Sequence, residues 1–290
     1  MFIRKAKDII MYNEEAVEAQ IAKVEKSLKE THYHKGDRLK VGVDLGTAYI
    51  GIVVLNEKNE PVATELQAAH VLKDGIIVDY VGALNLVKTL KEKLELRLGV
   101  KLLKASIAMP PGTESSIKTH RYVIEGAEME VSEVLDEPTA ANNVLKITDG
   151  AVVDIGGGTT GLSIFKQDQV VYVADEATGG THLTLVLAGS HHLAIEEAEA
   201  FKKDPAHQKE ILGSVKAVIE KMATIVKNHI AGYHIDTIYL CGGTCCLPGM
   251  ETIFEKTVGI RTVKPSNPLL ITPTGIAMSC EAFTPEKTYN

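Results

Sequence analysis

Residues 151–160 read AVVDIGGGTT. An apolar run bounded by glycine marks a short buried strand. This one delivers a carboxylate, Asp154, to three consecutive glycines, Gly156, Gly157 and Gly158, with hydroxyls at Thr159 and Thr160. Three glycines in a row are costly to order, and their φ freedom is useful where backbone N–H groups must wrap a phosphate. About 110 residues earlier, residues 39–47, LKVGVDLGT, form another apolar run that delivers Asp44 to Gly46 and Thr47. A lone D-x-G-T is weak, since a turn that merely ends a strand also fits it. Two such motifs in matched settings are a much stronger signal.

The matching continues outward. Each motif is followed by a β-branched run and a polar turn, 50–55 then 56–60 and 162–165 then 166–169, and by a second strand candidate, 62–65 and 170–174. In the first half a helix over 81–98 precedes a strand at 104–109. In the second, helices within 193–203 and over 211–230 precede a strand at 237–241. Further strands at 131–135 and 260–264 lead to helices expected after Pro138 and Pro273, since proline suits a helix start. Two copies of this order predict an α/β fold made by duplication, with the ligand site in the cleft where the loops of the two halves face each other. The expected division is lobe I over residues 39–148 and lobe II over 149–290. Ahead of them Val17, Ile21, Val24 and Leu28 recur at helical spacing, and residues 31–38 read as a linker. Residues 1–38 are therefore expected to be a solvated helical extension, with a docking helix as the alternative.

The third expected glycine site follows Cys241, where Gly242, Gly243 and Thr244 suit close approach to the flat face of a base and ribose. Cys241, Cys245 and Cys246 make no C-x-x-C pair, so small buried thiols are expected there rather than a metal centre. Asp44 and Asp154, flanking phosphates from opposite halves, suit Mg²⁺, which keeps several waters and takes few protein ligands. Either aspartate alone would fit an Asx turn equally well. His182, His191 and His192 are expected on exposed loops and helix starts.

Composition narrows the class. Thirty-one Lys and Arg against 38 Asp and Glu leave a net charge of −7, which argues against a sequence-independent nucleic-acid binder and against docking on an anionic membrane. The longest apolar stretches run six or seven residues, as in residues 49–55, where a spanning helix needs about 20. The N-terminus has no apolar signal core, and four cysteines, three of them clustered, are no disulfide framework. A cytoplasmic location is expected.

Asp44-Leu45-Gly46-Thr47, Glu137-Pro138-Thr139-Ala140-Ala141, Asp154-Ile155-Gly156-Gly157-Gly158-Thr159 and Gly242-Gly243-Thr244 occur in the order found in actin-like ATPases. They resemble the phosphate motifs, first connecting helix and adenosine motif of DnaK-type chaperones and MreB-type filament proteins. The runs KDGIIVD (73–79), MPPGT (109–113), VLDEPTA (134–140) and ADEATGG (174–180) are similar to the EutJ family, chaperone-like ethanolamine-utilisation proteins belonging to operons for a bacterial microcompartment. The resemblance implies a duplicated ribonuclease-H-like, actin-type ATPase fold that binds ATP with Mg²⁺. It also implies a protein client, such as ethanolamine ammonia-lyase or another microcompartment component, and a place at the compartment.

Carried over residue by residue, the resemblance has Asp44 and Asp154 holding Mg²⁺ mostly through its waters. Gly46, Thr47 and Ala48 wrap one side of the phosphates, and Gly156 to Thr160 the other. Glu137 orients the attacking water, although charge complementarity at a helix N-terminus explains it too. Gly179 and Gly180 match a turn near the sugar. Glu199 and Lys202 fall where bacterial actins hold the nucleoside, although an i,i+3 surface ion pair fits equally well. Ala48 stands where the chaperones have a hydroxyl and Gly161 where they have an acidic residue, and no match to their catalytic lysine is found. Fewer charged groups around the metal mean less transition-state stabilisation, so slow hydrolysis, or binding with little turnover, is expected. An actin-like scaffold or filament, and less so a small-molecule kinase, remain as alternatives.

Overall fold

The computed structural model describes residues 12–112 and 116–288; the first eleven residues of the expected extension, and Thr113 of the MPPGT run, lie outside them. The helix α1 (Glu14–Ser27) comes first, capped by the Asn13 side chain accepting from the Ala16 N–H. Lobe I follows with β1 (Leu39–Leu45), β2 (Tyr49–Asn56), β3 (Pro61–Ala68), the small hairpin β4 (Leu72–Lys73) and β5 (Ile76–Ile77), α2 (Tyr80–Leu98), β6 (Lys104–Met109), α3 (Ile117–Gly126), β7 (Glu130–Asp136) and α4 (Glu137–Leu145). Lobe II has β8 (Gly150–Ile155), β9 (Thr160–Lys166), β10 (Gln169–Glu176), α5 (Gly180–His191), α6 (Ile195–Lys202), α7 (Gln208–His229), β11 (Thr237–Cys241), α8 (Met250–Val258), β12 (Arg261–Val263) and α9 (Ile271–Ser279).

The duplication is visible in the sheets. Their orders, β3-β2-β1-β6-β7 and β10-β9-β8-β11-β12, are the same, with the first three strands antiparallel and the rest parallel. Asp44 and Asp154 consequently leave equivalent central strands, β1 and β8, at the same end. One core lies under sheet I with α2 and α3, and a second under sheet II with α5, α7 and α8.

A third core joins the lobes, and in it the helices cross the expected boundary at residues 148 and 149. The helix α4, encoded with lobe I, packs on β8 and β9, while α9, encoded with lobe II, packs on β1, β2 and β6. The tail also returns to lobe I, with Phe283 bridging Leu39 and Lys287 bridging Val100. Where α4 and α9 cross, a Cβ on Gly275 would collide with the carbonyl oxygen of Ala140, so only glycine permits this approach.

The solvated extension is likewise corrected. On α1, Val17, Ile21 and Val24 are buried in this joining core beside Val53, Leu55, Tyr239 and Leu270. Arg97 of α2 binds its C-terminal end, donating to the carbonyls of Ser27 (2.8 Å) and Glu30 (2.7 Å) while pairing with Glu65 at 2.7 Å. On the other lobe the Ser266 N–H donates to Glu18 (2.8 Å), and Tyr12 meets Tyr239 edge-on, ring centroids 4.8 Å apart. Other departures are helices where none was expected. Thr, Val and Gly make α5 a poor helix by propensity, but burial of Leu183, Thr184 and Leu187 overrides that. His191 and His192 accordingly end a helix rather than start one.

Arg97→Ala removes a charged, partly buried donor from several acceptors at once. It should lower unfolding stability by about 2 kcal/mol or more and expose the α1 segment to proteolysis. A denaturation midpoint and digestion pattern equal to wild type would refute this anchoring of α1.

Candidate functional site

Between the lobes lies a cleft lined by the two glycine loops. Asp44, Gly46, Thr47 and Ala48 come from lobe I, Asp154, Gly156, Gly157, Gly158 and Thr159 from lobe II, and Glu137, Gly242 and Gly243 complete the wall. The loops touch: a Cβ on Gly157 would sit 2.9 Å from that of Ala48, and one on Gly158 would meet Asp74 in the β4–β5 turn. The enclosed space is about 70 Å³, against the roughly 300 Å³ or more of ordinary small-molecule sites.

Several expected ligand-binding residues also hold the loops. The Thr160 hydroxyl donates to the Thr178 carbonyl at 2.7 Å, and Thr244 to the Gly156 carbonyl at 2.6 Å. Gly179 begins the turn into α5, and the Gly180 N–H donates to the Gly156 carbonyl at 2.9 Å. Glu199 and Lys202 are 2.6 Å apart, but they form no simple surface pair. Both bind the buried Thr184 hydroxyl, and Lys202 reaches the Gly180 carbonyl at 3.1 Å. Lys203 then lies over the Tyr49 ring, 4.9 Å from its centroid, linking lobe II to lobe I across the cleft mouth.

Electrostatically the cleft is strained. Burial, then the charge of Asp154, pushes the Asp44 carboxyl up to about 7. Burial also raises Asp154, though hydrogen bonds from Thr272 and Cys241 pull against it. Glu137, the first residue of α4, is raised well above the usual range by burial and then by Asp154 and Asp44. A fourth carboxyl, Asp175 on β10, is pushed up to about 7 chiefly by burial. No cation pairs with these four among the described residues.

Asp175 and Thr272 escaped the sequence reading. Asp175 lies in the ADEATGG run but was assigned no role from it, and Thr272 precedes a proline in an apolar helix; only packing brings them beside the cleft carboxylates. Burial pushes the Cys241 and Cys245 thiols up, while Cys246 is exposed rather than buried. Among the described residues no group of three or more His, Cys, Asp or Glu is arranged to hold a metal ion, and no helix is long and apolar enough to cross a membrane.

Two sheets of one order, exchanged helices and facing glycine loops define an actin-like ATPase fold. MreB5 of Spiroplasma citri bound to ADP shares that fold, with a TM-score of 0.66 at 18% identity over 82% of this chain and 94% of that one. The family described as type IV pilus assembly protein PilM matches residues 119–273. Ethanolamine utilization protein EutJ of Escherichia coli (strain K12) is 44% identical over 242 residues, 83% of this chain and 86% of that protein. The crystal structure of EutJ from Carboxydothermus hydrogenoformans is 44% identical, with a TM-score of 0.87 over 92% of this chain and 99% of that chain. The chain belongs to the EutJ family of ethanolamine utilization proteins and carries a PilM-type actin-like domain.

Raised carboxyls give a signed pH dependence. Asp44 and Asp175 keep their protons in the folded chain up to about pH 7, whereas the unfolded chain releases them near pH 4. Their contribution is full below that lower value and is lost as pH rises through 7. The thermal midpoint of the ligand-free protein should therefore fall between pH 5.5 and 8, with a shallower slope in Asp44→Asn; an unchanged slope in that variant would contradict the assignment.

Proposed function

We propose that this protein is an ATP-driven conformational switch of ethanolamine utilisation. In this reading it binds Mg-ATP between its lobes and presents one surface to a protein client when closed and another when open. The observation that carries it is the pair of glycine loops from equivalent strands, meeting across a cleft whose carboxylates pair with no cation among the described residues. Two neighbouring carboxyls held up in proton affinity fit a hydrated divalent ion, which needs few protein ligands and would relieve their repulsion. When bound, that ion neutralises phosphate charge.

The chain's own groups have the following roles. The N–H groups of residues 46–48 and 156–159 bind phosphate oxygens as a nest. Gly242 and Gly243 lie against the nucleoside, while Glu199 and Lys202 hold the turn at Gly180 behind it. Glu137 accepts a hydrogen bond from the attacking water. Thr244, Gly179 and Gly180 keep the Gly156 loop in shape. Because the loops touch and Lys203 covers Tyr49, the lobes must part to admit a nucleotide, which makes opening a natural control point. That the solved MreB5 structure is bound to ADP supports a nucleotide in this fold. A chaperone-like action on ethanolamine ammonia-lyase or other microcompartment components is the family-level extension of the same reading.

Calorimetry with Mg-ATP on the wild type and Asp154→Asn tests it, alongside a phosphate-release assay. Binding should weaken at least tenfold in the variant, and turnover should be far below that of a metabolic kinase. No binding by the wild type would overturn the switch and leave a scaffold; rapid turnover would point to a kinase.

A second variant probes closure. Gly157→Val places side-chain carbon where Ala48 already sits, so it should hold the loops apart and weaken Mg-ATP at least tenfold while the thermal midpoint stays within a few degrees. Unchanged affinity would mean that the loops do not close on the ligand.

A further inference from the structure

The two halves of the duplication differ at one informative place. In lobe I a row of residues crosses the sheet from Asp44 on β1 to Gly51 on β2 to Leu66 on β3. In lobe II the equivalent row runs from Asp154 on β8 to Gly161 on β9 to Asp175 on β10. The third place is thus Leu in one half and Asp in the other. Leu66 does what packing asks, since its side chain covers the face of Gly51, 3.0 Å from where a Cβ would stand. A carboxylate in the same place needs compensation when buried, and the Thr159 hydroxyl hydrogen-bonded to it supplies only part of that.

Asp175 accepts a hydrogen bond from Thr159, which lines the cleft. Its neighbour Glu176 points the other way, to His229 on α7 at 2.8 Å, and strand alternation turns Asp175 to the opposite face. That is the face on which α4 lies: a Cβ on Gly161 would meet the Pro138 ring at 3.2 Å. The missing side chain at 161 lets the first turn of α4, Glu137 and Pro138, seat on the sheet between the flanking carboxylates. Those two stand two strand spacings apart, about 10 Å between Cα atoms. Glu137 feels both of them. Asp175 Oδ1 is buried and has no hydrogen-bond partner among the described residues, and orphaned buried acceptors of this kind call for an explanation.

Resting on the nucleotide reading above, we propose that Asp175 is a second catalytic carboxylate, which accepts a hydrogen bond through Oδ1 from the water that Glu137 orients. The acidic group expected directly after the glycine loop is then supplied from the neighbouring strand rather than from position 161. In the step it serves, the water oxygen bonds to the terminal phosphorus as the bond from phosphorus to the bridging oxygen breaks. The electron pair of that bond leaves with ADP, and the water's proton passes to the carboxylate pair and on to solvent.

The full-length wild type, Asp175→Asn and Asp175→Leu would be compared for Mg-ATP affinity by calorimetry, single-turnover phosphate release followed over hours, and ligand-free thermal midpoint. Both variants should bind Mg-ATP within about threefold of wild type and release phosphate at least tenfold more slowly. Asp175→Leu, which copies lobe I, should have a raised midpoint. A merely structural Asp175 predicts the opposite: a lowered midpoint in Asp175→Leu, with affinity and rate falling together. Either that pattern, or a wild-type rate in Asp175→Asn, overturns the proposal. So does a wild type that binds Mg-ATP and releases no phosphate. A wild type that binds no Mg-ATP removes the nucleotide reading itself, and this proposal with it.

Discussion

Everything in the cleft depends on the crossing of α4 and α9. Each helix is encoded with one lobe and packs on the sheet of the other, and at Gly275 they approach so closely that no side chain fits between them. Exchanged helices join the two sheets through an apolar core that includes Ala141, Val144, Leu145 and Ile271. That core holds Asp44 and Asp154 at facing positions despite their mutual repulsion. Apolar burial is insensitive to the charge it carries along, so it can hold in place an arrangement that electrostatics alone would disperse.

The cleft is therefore built around an imbalance. Burial raises Asp44, Asp154, Glu137 and Asp175 together, and like charge adds to it at Asp44, Glu137 and Asp175. A site arranged this way is at odds with local stability, a common property of functional centres. Part of the imbalance is met within the chain by Thr272 and Cys241, which donate to Asp154. The remainder is available to a ligand carrying positive charge.

The helix α1 extends the same mechanical theme. It spans the lobes at the joining core, tied to lobe I by Arg97 and to lobe II through Glu18 and Tyr12. A strap across two bodies limits their relative rotation, so its tethers bear on how far the cleft can open. At the mouth, Lys203 over Tyr49 is a weaker link of the same kind, since a half-exposed cation on a ring contributes about 1 kcal/mol.

Much of this was legible in the sequence where chemistry and local pattern coincide. Asp44 and Asp154, each ahead of glycines after an apolar run, announced both the duplication and the cleft, because those residue types in that order have few other uses. Strand β6 and helix α2 were expected from the matched order of the two halves. What the sequence could not determine was anything set by contacts between distant segments. Val17, Ile21 and Val24 specify an amphipathic helix, but not that its apolar stripe closes a core shared by two lobes. The exchange of α4 and α9 is invisible to local pattern, since either helix could have packed on its own sheet. Thr160 carries a hydroxyl suited to phosphate and Thr244 one expected near the base and ribose, yet each donates to a carbonyl that folding brings within reach. Asp175 lies in the ADEATGG run, but its meaning comes from being two strands away from Asp154 and opposite a glycine. The sequence by itself determined the elements and the loop chemistry, which are encoded within a few residues; only the tertiary structure decided which groups face one another, because that depends on long-range burial that no short stretch contains.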